Sequence, residues 1–113
     1  MEKIEKYKNI VAELIEEIAQ IGAKPDAPIQ TQIIKDYEGG HFLLFSNGWR
    51  GSDRVYGCYL HIDVARDGKV WLQHDGTDLI VAERLLEKGI PKSEIVLGFH
   101  APYVREDTGF AVA

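Results

Sequence analysis

Apolar residues return at steps of three and four between Glu2 and Ile21: Ile4, Tyr7, Val11, Leu14, Ile18 and Ile21, with Ile10 and Ile15 widening the stripe. That spacing is the period of an amphipathic α-helix, and the opposite face here is charged. Glu2 stands four residues before Lys6, a favourable pair on a helix surface. Gly22 supplies a stop, and Pro25 and Pro28 mark a linker that cannot continue the helix. A helix with one apolar stripe must bury it, and the residues that follow offer a sheet.

From Ile29 the period changes to two. Strands are predicted over Ile29–Tyr37, His41–Trp49, Arg54–Val64 and Lys69–Asp75, with Glu38-Gly39-Gly40 and Arg50-Gly51-Ser52-Asp53 as turns. Connections this short join neighbouring antiparallel strands, so a meander is expected rather than crossover units. The turn near Gly68 can be resolved further. A two-residue Asp67-Gly68 loop sets Ile62 against Gln73 and mixes the two faces. A three-residue loop, Arg66-Asp67-Gly68 with Gly68 left-handed, pairs Val64 with Val70 and Ile62 with Leu72. A one-residue slip inverts every side chain, so the apolar match selects the second. Strict alternation then gives a core face of Tyr56, Cys58, Leu60, Ile62, Val64, Val70, Leu72 and His74. The opposite face carries Tyr59, His61, Asp63, Trp71, Gln73 and Asp75.

A second helix is expected after the fourth strand, capped by Asp75 or Thr77, with Leu79, Ala82, Leu85 and Leu86 buried and Lys88-Gly89 as its end. Ile95–Phe99 reads as a short apolar edge strand, and Gly109–Val112 as a candidate last strand. The expected fold is therefore α+β. An antiparallel meander of four to five strands packs with an N-terminal amphipathic helix and a second helix after strand four, in a single domain over residues 1–113.

Composition changes this picture mainly through charge. Eighteen acids against thirteen Lys and Arg leave a net charge of -5. Non-specific duplex binding depends on cations that neutralise phosphates and release counterions, so direct DNA binding is disfavoured. One cysteine, Cys58, excludes an internal disulfide and fits a reducing cytoplasm. No basic-then-apolar secretory segment and no membrane-length apolar run is visible, so a cytoplasmic location away from membranes is expected.

Chemistry-bearing residues are sparse. Cys58 sits between apolar neighbours, where a thiol is usually an inert small hydrophobe. Ser46 and Ser52 lack a nucleophile elbow, and Gly39-Gly40 precedes a strand rather than the helix N-terminus that cradles phosphates. His61 and Asp63, two apart on one strand face, could join Asp75 and His100 as metal ligands or an acid-base pair in a small hydrolase or nuclease component. The competing reading is a polar sheet surface that holds no metal. His74 is expected to pack on the core side, and His41 to be exposed. Tyr59 and Trp71 amid polar groups have the composition of a recognition surface. Intramolecular cover by a helix or the C-terminal tail would account for them equally well.

Several blocks in order carry a resemblance. Arg54-Val55-Tyr56-Gly57-Cys58, His61-Ile62-Asp63, Val70 through Thr77, Val96-Leu97-Gly98-Phe99-His100 with Pro102-Tyr103, and Thr108 through Ala113 together resemble the XisI family, the fdxN-element excision controlling factors. The resemblance covers essentially the whole chain. It implies a small cyanobacterial-type α+β protein, an accessory that acts with a XisH-type protein when a site-specific recombinase excises a DNA element. No catalytic residue and no cofactor is carried over. The expected function is control by contact, through a partner-binding surface of Tyr59, His61, Asp63, Trp71 and Gln73, with self-association as a further use of that surface.

Overall fold

A computed structural model describes residues 2–113. Helix α1 spans Glu2–Gln20, followed by strands β1 (Ile29–Asp36), β2 (His41–Arg50), β3 (Asp53–Val64) and β4 (Val70–Asp75). Helix α2 (Val81–Glu87), a 3-10 turn at Lys92–Glu94, strand β5 (Ile95–Leu97) and the one-turn helix α3 (Pro102–Arg105) complete the order. The sheet has five strands in the order β1-β2-β3-β4-β5. The fold is α+β, as the hydrophobic periods require.

The first three pairings are antiparallel, but β5 runs parallel to β4, with Val70, Trp71 and Leu72 opposite Ile95, Val96 and Leu97. The expected meander therefore ends in a crossover. Parallel neighbours need a long connection, and α2 provides it. The tail forms no further strand: Ala111 makes one isolated bridge to Val96. Helix α3 was not expected, although Pro102 at its first turn is a helix-start signal.

One face of α1 (Tyr7, Val11, Ala12, Leu14, Ile15, Ile18 and Ala19) is buried against the sheet. Phe42, Leu44, Leu60, Ile62 and Leu72 meet it from the strands, and Val81 and Leu85 from α2. Lys88 at the end of α2 ties the two helices together through Glu13 at 2.8 Å and Glu17 at 2.5 Å. Asp75 Oδ2 accepts the Val81 N–H at 2.9 Å, so the strand-end carboxylate serves the start of α2. That start lies later than a cap at Asp75 or Thr77 implies, because Thr77 through Ile80 form a loop in which Ile80 has φ 50°.

Gly68 is left-handed at φ 90°, and Val64–Val70 and Ile62–Leu72 pair as the three-residue loop demands. Strict alternation fails beyond that. The β2–β3 register shifts between Leu44 and Phe45, where Leu44 faces Leu60 but Phe45 faces Cys58. The β3–β4 register shifts between His61 and Ile62, where Ile62 faces Leu72 but His61 faces His74. Each shift is a β-bulge, with Tyr59 and Gln73 as the extra residues, and a bulge re-aims the chain beyond it.

Five face assignments change as a result. Tyr56 and Cys58 leave the core face and join Phe45 on the outer one, the Tyr56 and Phe45 rings 5.8 Å apart. His74 is exposed rather than packed. Asp75 moves opposite the buried Leu60, next to α2. Tyr59 packs against the core cluster, with its hydroxyl 3.4 Å from Thr31 Oγ1.

Phe42 is fully buried, so Phe42→Ala is expected to cost about 3–5 kcal/mol, read as a lower urea midpoint. The Tyr7 hydroxyl donates to Glu94, which also pairs with Lys3. Burial and the adjacent carboxylate push the Tyr7 pKa up to about 12. Hydrogen bonds from Lys3 and Tyr7 hold the Glu94 carboxyl below its ordinary value. A depressed carboxyl stabilises the fold above its unfolded pKa of about 4.3, and that stabilisation is lost as pH falls through the folded value. Tyr7→Phe is expected to cost about 1 kcal/mol at neutral pH. In thermal melts run down to acidic pH, that difference should shrink below about pH 4.

Candidate functional site

The hairpin turn after β1 fixes the first residue of the site. Gly40 is left-handed at φ 78°, and a Cβ there would lie 2.3 Å from the Val64 carbonyl oxygen. The Gly40 carbonyl accepts the Val64 N–H at 2.8 Å, which extends the β2–β3 ladder and sets His41 opposite Asp63. His61 lies two residues before Asp63 on the same outward face. Trp71 is opposite Asp63 on β4, and the bulge brings Gln73 alongside.

Asp63 is the hub, with its side chain 19 % exposed. Its Oδ1 lies 2.8 Å from His41 Nδ1 and 2.8 Å from His61 Nε2. A carboxylate only accepts, so each imidazole presents an N–H to that oxygen. The Gln73 Nε2 amide donates to Oδ2 at 3.1 Å. Burial pushes the Asp63 carboxyl up, but hydrogen bonds from His41, Gln73 and His61, with the charge of His61, outweigh it and hold the pKa below the aspartate norm. The hydrogen bond and charge of Asp63 raise the pKa of His41, with a smaller contribution from Asp36.

The neighbouring indole is partly covered from within the chain. The Arg105 guanidinium stands 5.0 Å from the Trp71 ring, with its Nε on the His100 carbonyl at 3.0 Å. Gly98 abuts the same group. A Cβ there would fall 2.4 Å from Gln73 Oε1 and 3.1 Å from Trp71 Cε3. The C-terminal segment therefore covers one side of Trp71, and the His41–Asp63 side opens on a hollow walled by Gly39, Val64, Ala65 and Arg66.

Of the five residues expected to form one surface, the structure brings together His61, Asp63, Trp71 and Gln73. Tyr59 is re-aimed toward the core. Asp75 accepts Thr77 Oγ1 at 2.5 Å as well as Val81 N, and so serves the loop before α2. His100 lies tilted against Phe99, ring centroids 4.5 Å apart, outside the cluster. His41 was missed. The signal was available: matching Phe42 and Leu44 to Ile62 and Leu60 and counting outward puts His41 opposite Asp63. Cys58 is half-buried, its thiol held up by burial, with Sγ 3.2 Å from the Leu60 carbonyl oxygen.

A second cluster lies further along the outer face. Arg54 is sandwiched between Trp49 and Tyr56, 5.5 Å and 5.2 Å from their rings, and donates to Asn47 Oδ1 at 2.9 Å. The outer side of the sheet thus carries aromatic and polar groups, while α1 and α2 cover the inner side.

These features define a small α+β protein with a partly covered outer sheet face built around a shared carboxylate. The chain belongs to the XisI family, whose model matches residues 1–112. It is similar to the crystal structure of a XisI-like protein from Anabaena variabilis, with 39 % identity and a TM-score of 0.89 over 97 % of this chain and 99 % of that one. It is also similar to the fdxN element excision controlling factor XisI from Anabaena variabilis, with 31 % identity and a TM-score of 0.85 over 98 % and 99 % of the two chains. No curated protein matches the chain.

Gly98→Ala is expected to displace the flexible Gln73 end and break its bond to Asp63, at a stability cost of about 1 kcal/mol. Loss of the Gln73 side-chain amide shift in an NMR spectrum, with the fold retained, is the readout. An unmoved amide would show that the Gly98 contact does not position Gln73.

Proposed function

We infer that this protein is a controlling factor that acts by contact rather than by chemistry of its own. Its partner on this reading is a XisH-type protein, in programmed excision of a DNA element by a site-specific recombinase. The observation that carries the reading is likeness along nearly the whole chain to a protein described as fdxN element excision controlling factor XisI, at 31 % identity.

Charge and surface chemistry support it. A net charge of -5 opposes stable contact with a phosphate backbone, so influence on a DNA reaction runs more readily through a protein that supplies the cations. The contact surface on this reading is His41, His61, Asp63, Trp71 and Gln73. There a half-covered indole lies beside hydrogen-bonded, partly buried polar groups, a mix of the kind found at interface hot spots. His41 takes the place that the sequence reading gave to Tyr59. Self-association through the same face is a further part of the reading. We place the protein in the cytoplasm, where its lone thiol stays reduced.

Co-purification with a XisH-type protein is the test. Trp71→Ala and Asp63→Ala are each expected to raise the Kd about thirtyfold, the size of a ~2 kcal/mol hot spot. Tyr59→Phe is expected to leave it unchanged. Undiminished binding by both alanine variants removes the surface, and no binding by the parent chain removes the partner. Sedimentation of the same variants reads out self-association.

A further inference from the structure

His41, His61 and Asp63 have a feature that a polar sheet surface does not require. Two imidazole nitrogens converge on one carboxylate oxygen, each at 2.8 Å, although the carboxylate has two oxygens to offer. The other oxygen is engaged by Gln73 at 3.1 Å, which fixes the carboxylate plane and leaves Oδ1 to the histidines. The three potential ligand atoms all lie within 4.8 Å of one another. They come from two adjacent strands in fixed register, so the rigid part of the fold places them together before any ion arrives.

We propose that His41 Nδ1, His61 Nε2 and Asp63 Oδ1 form a binding site for one divalent transition metal of the zinc class. Two imidazoles and one carboxylate are a set of borderline donors suited to zinc and its neighbours rather than to magnesium or calcium, which prefer oxygen alone. Metal–ligand bonds of about 2.0–2.1 Å in a tetrahedron put ligand atoms about 3.3 Å apart. The histidines therefore need to withdraw by roughly half an ångström from their hydrogen-bonded positions. His41 has room for this, because it opens its strand and its side chain is 52 % exposed. The hollow beside His41 and Asp63, by Gly39 and Arg66, has space for a water or an anionic donor as fourth ligand.

The balance of protons is simple. In the metal-free protein each histidine donates an N–H to Asp63. On binding, those two nitrogens become lone-pair ligands: a neutral imidazole moves its proton through solvent to the other ring nitrogen, and an imidazolium keeps the proton there and releases one to solvent. Gln73 remains on Oδ2 as the outer partner that orients the carboxylate, a role that outer-shell groups commonly play. This site differs from the one suggested by sequence alone. Asp75 and His100 are engaged elsewhere, and His41 replaces them. The inference does not depend on the partner reading, so either can fail alone.

The test is titration of chelator-treated protein with Zn2+ by calorimetry and with Co2+ by visible absorption. One equivalent is expected, with the band intensity of a tetrahedral or five-coordinate cobalt site. His41→Ala and His61→Ala should each weaken binding at least tenfold, and the double variant should abolish it. His74→Ala and His100→Ala should leave it unchanged. Nitrogen NMR of the parent chain reads the site without any substitution: only the His41 Nδ1 and His61 Nε2 resonances should show the shift of direct ligation. The proposal is overturned if the parent chain binds no metal at micromolar concentration. Binding that survives the double variant, or ligation shifts at other histidines, overturns it equally.

Discussion

The stripe of Tyr7, Val11, Leu14, Ile15 and Ile18 is answered by the inner sheet face of Phe42, Leu44, Leu60, Ile62 and Leu72. Each such side chain contributes about 1.5–3 kcal/mol when fully removed from water, more than a surface ion pair supplies. Helix α1 therefore decides which side of the sheet is inside. Over His41–Leu44 and Leu60–Val64 the residues of opposite parity are sent outward, and the carboxylate cluster is a product of that partition. A sheet with helices on one side leaves its second face free for other uses.

Two bulges then adjust what the partition delivers. Without the extra residue at Tyr59, that ring would share a face with His61. Without the one at Gln73, Asp75 would fall beside Trp71. The insertions put Tyr59 and Asp75 to structural use, one against the core and one at the start of α2. They also bring Gln73 to Asp63. Bulges beside functional residues are common because they re-aim one side chain without disturbing the rest of the ladder.

Much of this was legible in the residues. The period of three and four gave α1 to within a residue at its end, and apolar matching across Gly68 chose the correct loop. Length and turn chemistry placed the first four strands. What escaped were features set by neighbours rather than by local pattern. A bulge leaves no mark in a single strand, because both registers offer reasonable apolar contacts, and so Tyr56, Cys58 and His74 were assigned to the wrong face. The parallel β5 depends on α2 as a crossover, which the short apolar run Ile95–Leu97 does not announce. His41 became visible only once β2 was counted against β3. The family resemblance, by contrast, lay in blocks long enough to be read directly.

Strand β5 is held to the sheet by three paired positions, and the tail beyond it by one bridge at Ala111. Burial of Ile95, Val96 and Leu97 and packing of Phe110 against the core add to that hold. The residues that ride on this segment are Gly98 and Arg105, the two that lean on Trp71 and, through Gln73, on the carboxylate hub. The chain's far end is thereby tied to the chemistry of the outer face: displacement of the tail would bare an aromatic ring and loosen one of the three groups that grip Asp63.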